Sequence, residues 1–309
     1  MKKINLIILG IVSLHLLSCK KEIVWQKNEM GTVENTRVQA SDEMSQLPMF
    51  DLSQLDNRDN TNTAKSDEVA WGIGEIESTG NGRVFKSTNL GVSWSEPNTA
   101  ARLKYVEVAA DGSVWGVTSN RNIWKWNGTS WALLSGLLDQ VSPVSSTTAI
   151  GVSFSNNGKL YITTNGGTSW SQFTTIENVE WVSVGSSTNN IWIIRRNNVN
   201  QRVINKWNTS TLVWDFYTTY GNNNVSVSAM LATGAWRVNS SNDVYRSDNG
   251  VNFFEPNTSA TLNMISGIDS SVAWGLGSGT TKRIFRTTNG GANWAEPNSA
   301  ARLTHISVN

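Results

Sequence analysis

The sequence has a single cysteine, Cys19, so no disulfide can form within the chain. It has two histidines, His15 and His305. That excludes a His-rich zinc site and leaves a His-based catalytic relay little to rest on. Charged residues make up 16% of the chain, below the usual quarter. The 25 basic and 24 acidic residues nearly cancel to a net +1, so the basic excess of a nucleic-acid binder is absent. After the first nineteen residues, no stretch reads as a long amphipathic helix. What the chain does have is tryptophan, 15 of them, and they recur at regular positions.

One turn sequence is written repeatedly. Ser87-Thr-Asn-Leu-Gly-Val-Ser-Trp94, Thr163-Thr-Asn-Gly-Gly-Thr-Ser-Trp170 and Thr287-Thr-Asn-Gly-Gly-Ala-Asn-Trp294 are near copies, with weaker versions ending at Trp131, Trp214 and Phe254. Upstream of each lies a strand-like segment centred on Trp71, Trp115, Ile150, Trp192, Trp236 or Trp274, spaced 35 to 44 residues apart. A second apolar-alternating segment follows each, such as Arg83-Val-Phe-Lys or Arg283-Ile-Phe-Arg. Period-two alternation, aromatic and β-branched residues and closely spaced turn signals all indicate strands. Six units of about four short strands predict an all-β, six-bladed β-propeller over 67–309. The first unit lacks the strand that lies between the others, and the chain stops on that strand, Leu303-Thr-His-Ile-Ser-Val308. The C-terminal strand is therefore expected to join the first blade and close the ring.

Residues 1–18 read as a secretion leader: Lys2 and Lys3, then an apolar run too short to span a bilayer. Its end, Leu16-Leu17-Ser18-Cys19, resembles the bacterial lipobox. The resemblance implies that Cys19 becomes the first mature residue and carries lipid. The chain would then sit in a bacterial cell envelope, lipid-anchored at the outer membrane, on its periplasmic or its outer surface. Residues 19–66 are polar and aperiodic and read as a flexible tether, with Met49, Phe50, Leu52 and Leu55 able to dock on the ring.

In the turns, Asn89, Asn165 and Asn289 suit local hydrogen bonding, and Gly91, Gly167 and Gly291 allow positive φ. The pattern resembles the Asp-box of sialidases and other propellers, with Asn for Asp, where it implies a structural hairpin. The fifth unit, Ser247-Asp-Asn-Gly-Val-Asn-Phe-Phe254, shifts the glycine. Asp111-Gly-Ser-Val-Trp-Gly-Val117 followed by Asn122-Ile-Trp-Lys-Trp-Asn-Gly-Thr-Ser-Trp131 resembles the tectonin repeat. That resemblance implies a lectin-like or surface-recognition role.

Catalysis finds little support. The Phe/Tyr-Arg-Ile-Pro start of sialidases is absent, and Arg246 and Arg286 sit at repeat-equivalent positions. Gly72-Ile-Gly74 lies inside a repeat rather than in a phosphate loop. The reading is a binding protein, with no cofactor and no metal. One repeated arm exceeds what a hairpin requires: Glu96-Pro-Asn-Thr-Ala-Ala-Arg-Leu103, Glu255-Pro-Asn-Thr-Ser-Ala-Thr-Leu262 and Glu296-Pro-Asn-Ser-Ala-Ala-Arg-Leu303. Glu96, Asn98, Arg102, Glu255, Asn257, Glu296, Asn298 and Arg302 are the candidate ligand residues, since acid, amide and guanidinium groups near Trp suit a sugar. Equally, these arms suit interblade turns with internal ion pairs. The strand tryptophans read as core, whereas Trp124, Trp181 and Trp207 are better placed for exposure. The expected partner is a glycan, met by a monomer through repeated shallow sites. The alternative is an envelope protein held against one face of the ring.

Overall fold

The computed structural model describes residues 44, 47–52, 68–217 and 223–309. The leader, Cys19 and most of the expected tether, Leu55 included, lie outside the described residues. Six small antiparallel sheets form the domain. In blades 1 to 4 the order from the axis outward is four strands; blades 5 and 6 have three, with the fourth reduced to isolated bridges such as Arg246 to Phe254 and Arg286 to Ala295. Blade 1 is completed by His305–Val308, which pairs with Ala70–Ile76 through Trp71 opposite Ser307 and Gly72 opposite Ile306. The C-terminal strand thus closes the ring, as the repeat register predicts.

The strand tryptophans hold the blades together. In five blades the second-strand Trp faces a basic residue directly across the next strand: Trp71 and Lys86, Trp115 and Lys125, Trp192 and Lys206, Trp236 and Arg246, Trp274 and Arg286. Each cation lies over its ring at 5.3–5.7 Å from the centroid. The other side of each Trp receives the turn aromatic of the following blade, edge to face. Trp131 meets Trp71, Trp170 meets Trp115, Phe253 meets Trp192, Trp294 meets Trp236, and Trp94 meets Trp274 across the closure. All five strand tryptophans are buried. The turn glycines make this contact fit. A Cβ on Gly91, at φ 82°, would come within 2.6 Å of the Trp274 ring.

The Asp-box-like turns are structural. In the first copy Asn89 Oδ1 accepts from Ser93 N at 3.0 Å and from Ser87 Oγ at 3.0 Å, and Ser87 Oγ accepts from Gly91 N at 3.0 Å. The copies at Thr163 and Thr287 repeat this pattern. The fifth turn differs from its expected alignment. It is one residue shorter, so Phe254 takes the bridge position held elsewhere by Ser95 and Ala295, and Phe253 is the buried aromatic.

At the axis serine hydroxyls stitch five of the six blade junctions. Ser307, Ser142, Ser183, Ser228 and Ser266 accept from the backbone N of Val108, Val184, Ala229, Gly267 and Val308 at 2.9–3.1 Å. The junction from blade 2 to blade 3 lacks this clasp for two matched reasons. Pro143 has no N–H to donate, and Glu107 replaces the serine. Glu107 turns instead to Ser307 Oγ, which donates to it at 2.9 Å, and to buried His305, whose Nε2 lies 3.3 Å away.

Blade 3 departs from the pattern. Ile150 faces Ile162 where the other blades pair Trp with a cation. Trp207 of blade 4 is buried between Phe173 of blade 3 and Trp214 of its own blade, contrary to its expected exposure. Residues 47–52 dock on this blade's outer edge. Phe50 N donates to Gln172 O at 2.6 Å and Gln172 N to Pro48 O at 2.7 Å, while Phe50 and Leu52 pack on its core.

Candidate functional site

The arm residues lie along the outer perimeter of blades 1, 5 and 6, and their polar groups bind the fold itself. Glu96 pairs with Arg83 at 3.0 Å, and Glu296 accepts from Arg283 Nε at 2.6 Å. Arg102 pairs with Glu77 at 2.8 Å and donates to Thr99 O, and Arg302 donates to Ser299 O at 2.7 Å. Asn257 and Asn298 donate to the turns of the next blades, at Ala292 O and Val92 O, over 2.8 and 2.9 Å. Asn98 Oδ1 accepts from Ala100 N at 3.0 Å. Glu255 follows the fifth turn and is half-buried. Asn257 and Asn298 couple consecutive blades, whereas the Glu and Arg groups of the arms bond within their own blades.

A cleft of about 480 Å³ opens elsewhere, beside the axis over blades 3, 4 and 5. It lies on the face opposite the Asn-Gly turns, where inner strands begin and the second and third strands of each blade are joined. Its wall is the 3-10 turn Phe154–Asn156 with Asn157 and Gly158, and its floor is Trp181 with Tyr105. Gly158 is required there, because a Cβ would stand 2.5 Å from Val179 N. Without one, Val179 N donates to Gly158 O and Asn178 N to Asn157 O, fastening the tip of blade 3 to blade 4.

Trp181 is half-buried and fixed. Its Nε1 donates to Val227 O at 2.8 Å, and its ring contacts Tyr105 and His305 at centroid distances of 6.3 and 6.1 Å. Burial pushes the Tyr105 phenol above its ordinary value, with Asp139 adding to the effect. Opposite, Glu180 holds two arginines by their Nε atoms. Arg202 lies at 2.6 Å, and Arg196 is paired as well and donates onward to Asn200 Oδ1 at 2.9 Å. Phe154 is exposed, and so is Asn178, in left-handed backbone at φ 61°. An aromatic floor with guanidinium, carboxylate and amide groups around it can stack one face of a flat ligand while bonding its polar edge.

Of the cleft residues, the sequence singles out only Trp181, as an aromatic placed for exposure; Trp124, half-buried, stands apart from it in blade 2. A signal for the rest exists in the repeats. In blades 1, 2, 3 and 6 a glycine follows the second-strand Trp or Ile, and a leucine entering the inner strand packs on it. A Cβ on Gly72, Gly116, Gly151 or Gly275 would fall 2.3–2.4 Å from Leu303, Leu103, Leu138 or Leu262. Blade 4 places Ile193 and Val179 at these positions. Blade 5 places Arg237 and Asn224 there, bonded at 2.6 Å. Val179 and Asn224 line the cleft, so the cleft stands where the Leu–Gly pair is abandoned.

Fold and axis together define a six-bladed β-propeller. Residues 65–215, the first three blades and most of the fourth, match the family model of the Tectonin domain. No sequence among the curated proteins matches the chain. Among solved structures, TolB from Acinetobacter baumannii superposes with a TM-score of 0.63 at 10% identity, over 79% of this chain and 66% of that one. A chain solved as YCF48 bound to D1 peptide gives 0.47 at 14% identity, over 73% and 76%. A chain of the Mitotic Checkpoint Complex gives 0.49 at 12%, over 82% and 87%.

Proposed function

We propose that this propeller is a glycan-recognition module of a bacterial envelope, anchored by lipid on Cys19, and that it binds rather than catalyses. The observation carrying this reading is the cleft. Trp181 is a fixed, half-exposed aromatic floor beside Glu180, Arg196 and Asn178, which is the set of groups a pyranose needs for stacking and hydroxyl bonding. The Tectonin match supports a recognition role. The perimeter arms are a second set of candidate contacts, available for avidity if their internal bonds open.

A glycan array probed with the detergent-solubilised full-length protein tests the reading. Binding should fall at least tenfold in Trp181→Ala, as expected for loss of about 1.4 kcal/mol or more of stacking. Arg102→Ala with Arg302→Ala should lower it less, through lost avidity alone. Loss in the arm variant with retention in Trp181→Ala would move the site to the perimeter. Metabolic labelling with a fatty-acid analogue should mark the wild type and not Cys19→Ser.

One observation favours a second reading, a protein-binding scaffold. The turn face carries exposed apolar tips, Leu90 and Val92 in blade 1 and Val251 in blade 5. A silent array together with an envelope protein cross-linked at Val92 would support it.

A further inference from the structure

We propose that the cleft selects a carboxylate-bearing sugar, with Arg202 as the residue that recognises the acid; this rests on the glycan reading of the same cleft. Two guanidiniums, Arg196 and Arg202, share the one carboxylate of Glu180. The cluster therefore keeps one positive charge uncompensated. The neighbouring Lys159 and Glu177 pair with each other at 3.8 Å and leave that balance unchanged.

The two arginines are not equivalent. Arg196 uses Nε on Glu180 and Nη1 on Asn200. Arg202 uses only Nε, and its two terminal nitrogens have no hydrogen-bond partner among the described residues. Its side chain is 40% exposed and lines the cleft. A planar guanidinium with its terminal edge free matches a carboxylate through two parallel N–H···O bonds. Glu180 has a positioning role, holding the Arg202 plane in place before the ligand arrives. Trp181, the next residue, presents its ring to the same space, so a pyranose stacked there carries its substituents toward Arg202.

The test compares uronate- and sialate-bearing oligosaccharides with their methyl esters, which keep the ring and remove the charge. Titration calorimetry on full-length protein should show the acids binding about tenfold more tightly at low salt, the value of one charge-assisted contact. The preference should shrink as salt rises. Arg202→Gln should erase it, so that acid and ester bind alike. Equal binding of acid and ester, or a preference that survives Arg202→Gln, would overturn the proposal and leave the glycan reading standing. Failure of every acid and every ester to bind would overturn both.

Discussion

Blades 6, 1 and 2 differ from blades 3, 4 and 5 in how strictly they obey the repeat. The first group keeps the Trp–cation pair and the Leu–Gly pair in every blade. In the second group blade 3 loses the Trp–cation pair, and blades 4 and 5 lose the Leu–Gly pair. The regular half is occupied with holding itself and its neighbours together. The divergent half carries the cleft and receives the docked segment 47–52. Departure from the repeat therefore marks the cleft better than the repeat does, because a position released from the shared packing solution is free to hold something else.

The largest expected effect lies in the regular half. Trp274→Ala removes the ring that Arg286, Trp94 and the Gly91 turn all pack on, and it should cost about 3–5 kcal/mol in denaturant unfolding. A smaller change should come from imposing the regular pair on blade 5. Asn224→Leu alone removes the oxygen that accepts from Arg237 and should cost about 1.5–3 kcal/mol. Combined with Arg237→Gly it should recover about 1–3 kcal/mol relative to the sum of the single changes. A double-mutant cycle without coupling would show that the two pairs are not interchangeable solutions.

Next in size is the junction between the halves. Glu107→Ser with Pro143→Ala rebuilds the missing hydroxyl clasp and should show about 0.5–1.5 kcal/mol of favourable coupling. Smallest are Arg102→Ala and Arg302→Ala. These remove exposed perimeter contacts and should shift stability by no more than about 1 kcal/mol.

The ring was legible in the sequence because its determinants are local and repeated. Asn89, Gly91 and Trp94 spell out a turn whose bonds close within eight residues, and the unpaired last strand gave the closure. The cleft was less legible. Glu180, Arg196 and Arg202 are near in sequence, yet Phe154 and Tyr105 arrive from other blades through the ring geometry. The arms stood out because they repeat, and the structure places their groups in bonds within and between blades. The readable clue to the cleft was a broken rule: Trp192-Ile193 and Trp236-Arg237 where four other units read Trp-Gly or Ile-Gly.

The closing strand also fixes an order of events. Thr304 donates to Ile73 O across 231 residues of chain, and blade 1 has no inner strand until His305–Val308 arrives. A chain emerging N-terminus first can pair the outer strands of blade 1 and build blades 2 to 6 in turn, but the edge of Ala70–Ile76 stays open until His305–Val308 is available to pair with it. Closing the ring therefore needs a contact between distant parts of the chain, which is the slow kind to form. Until then, the unpaired strand edge nearest the N-terminus is the part of the molecule most exposed to wrong partners.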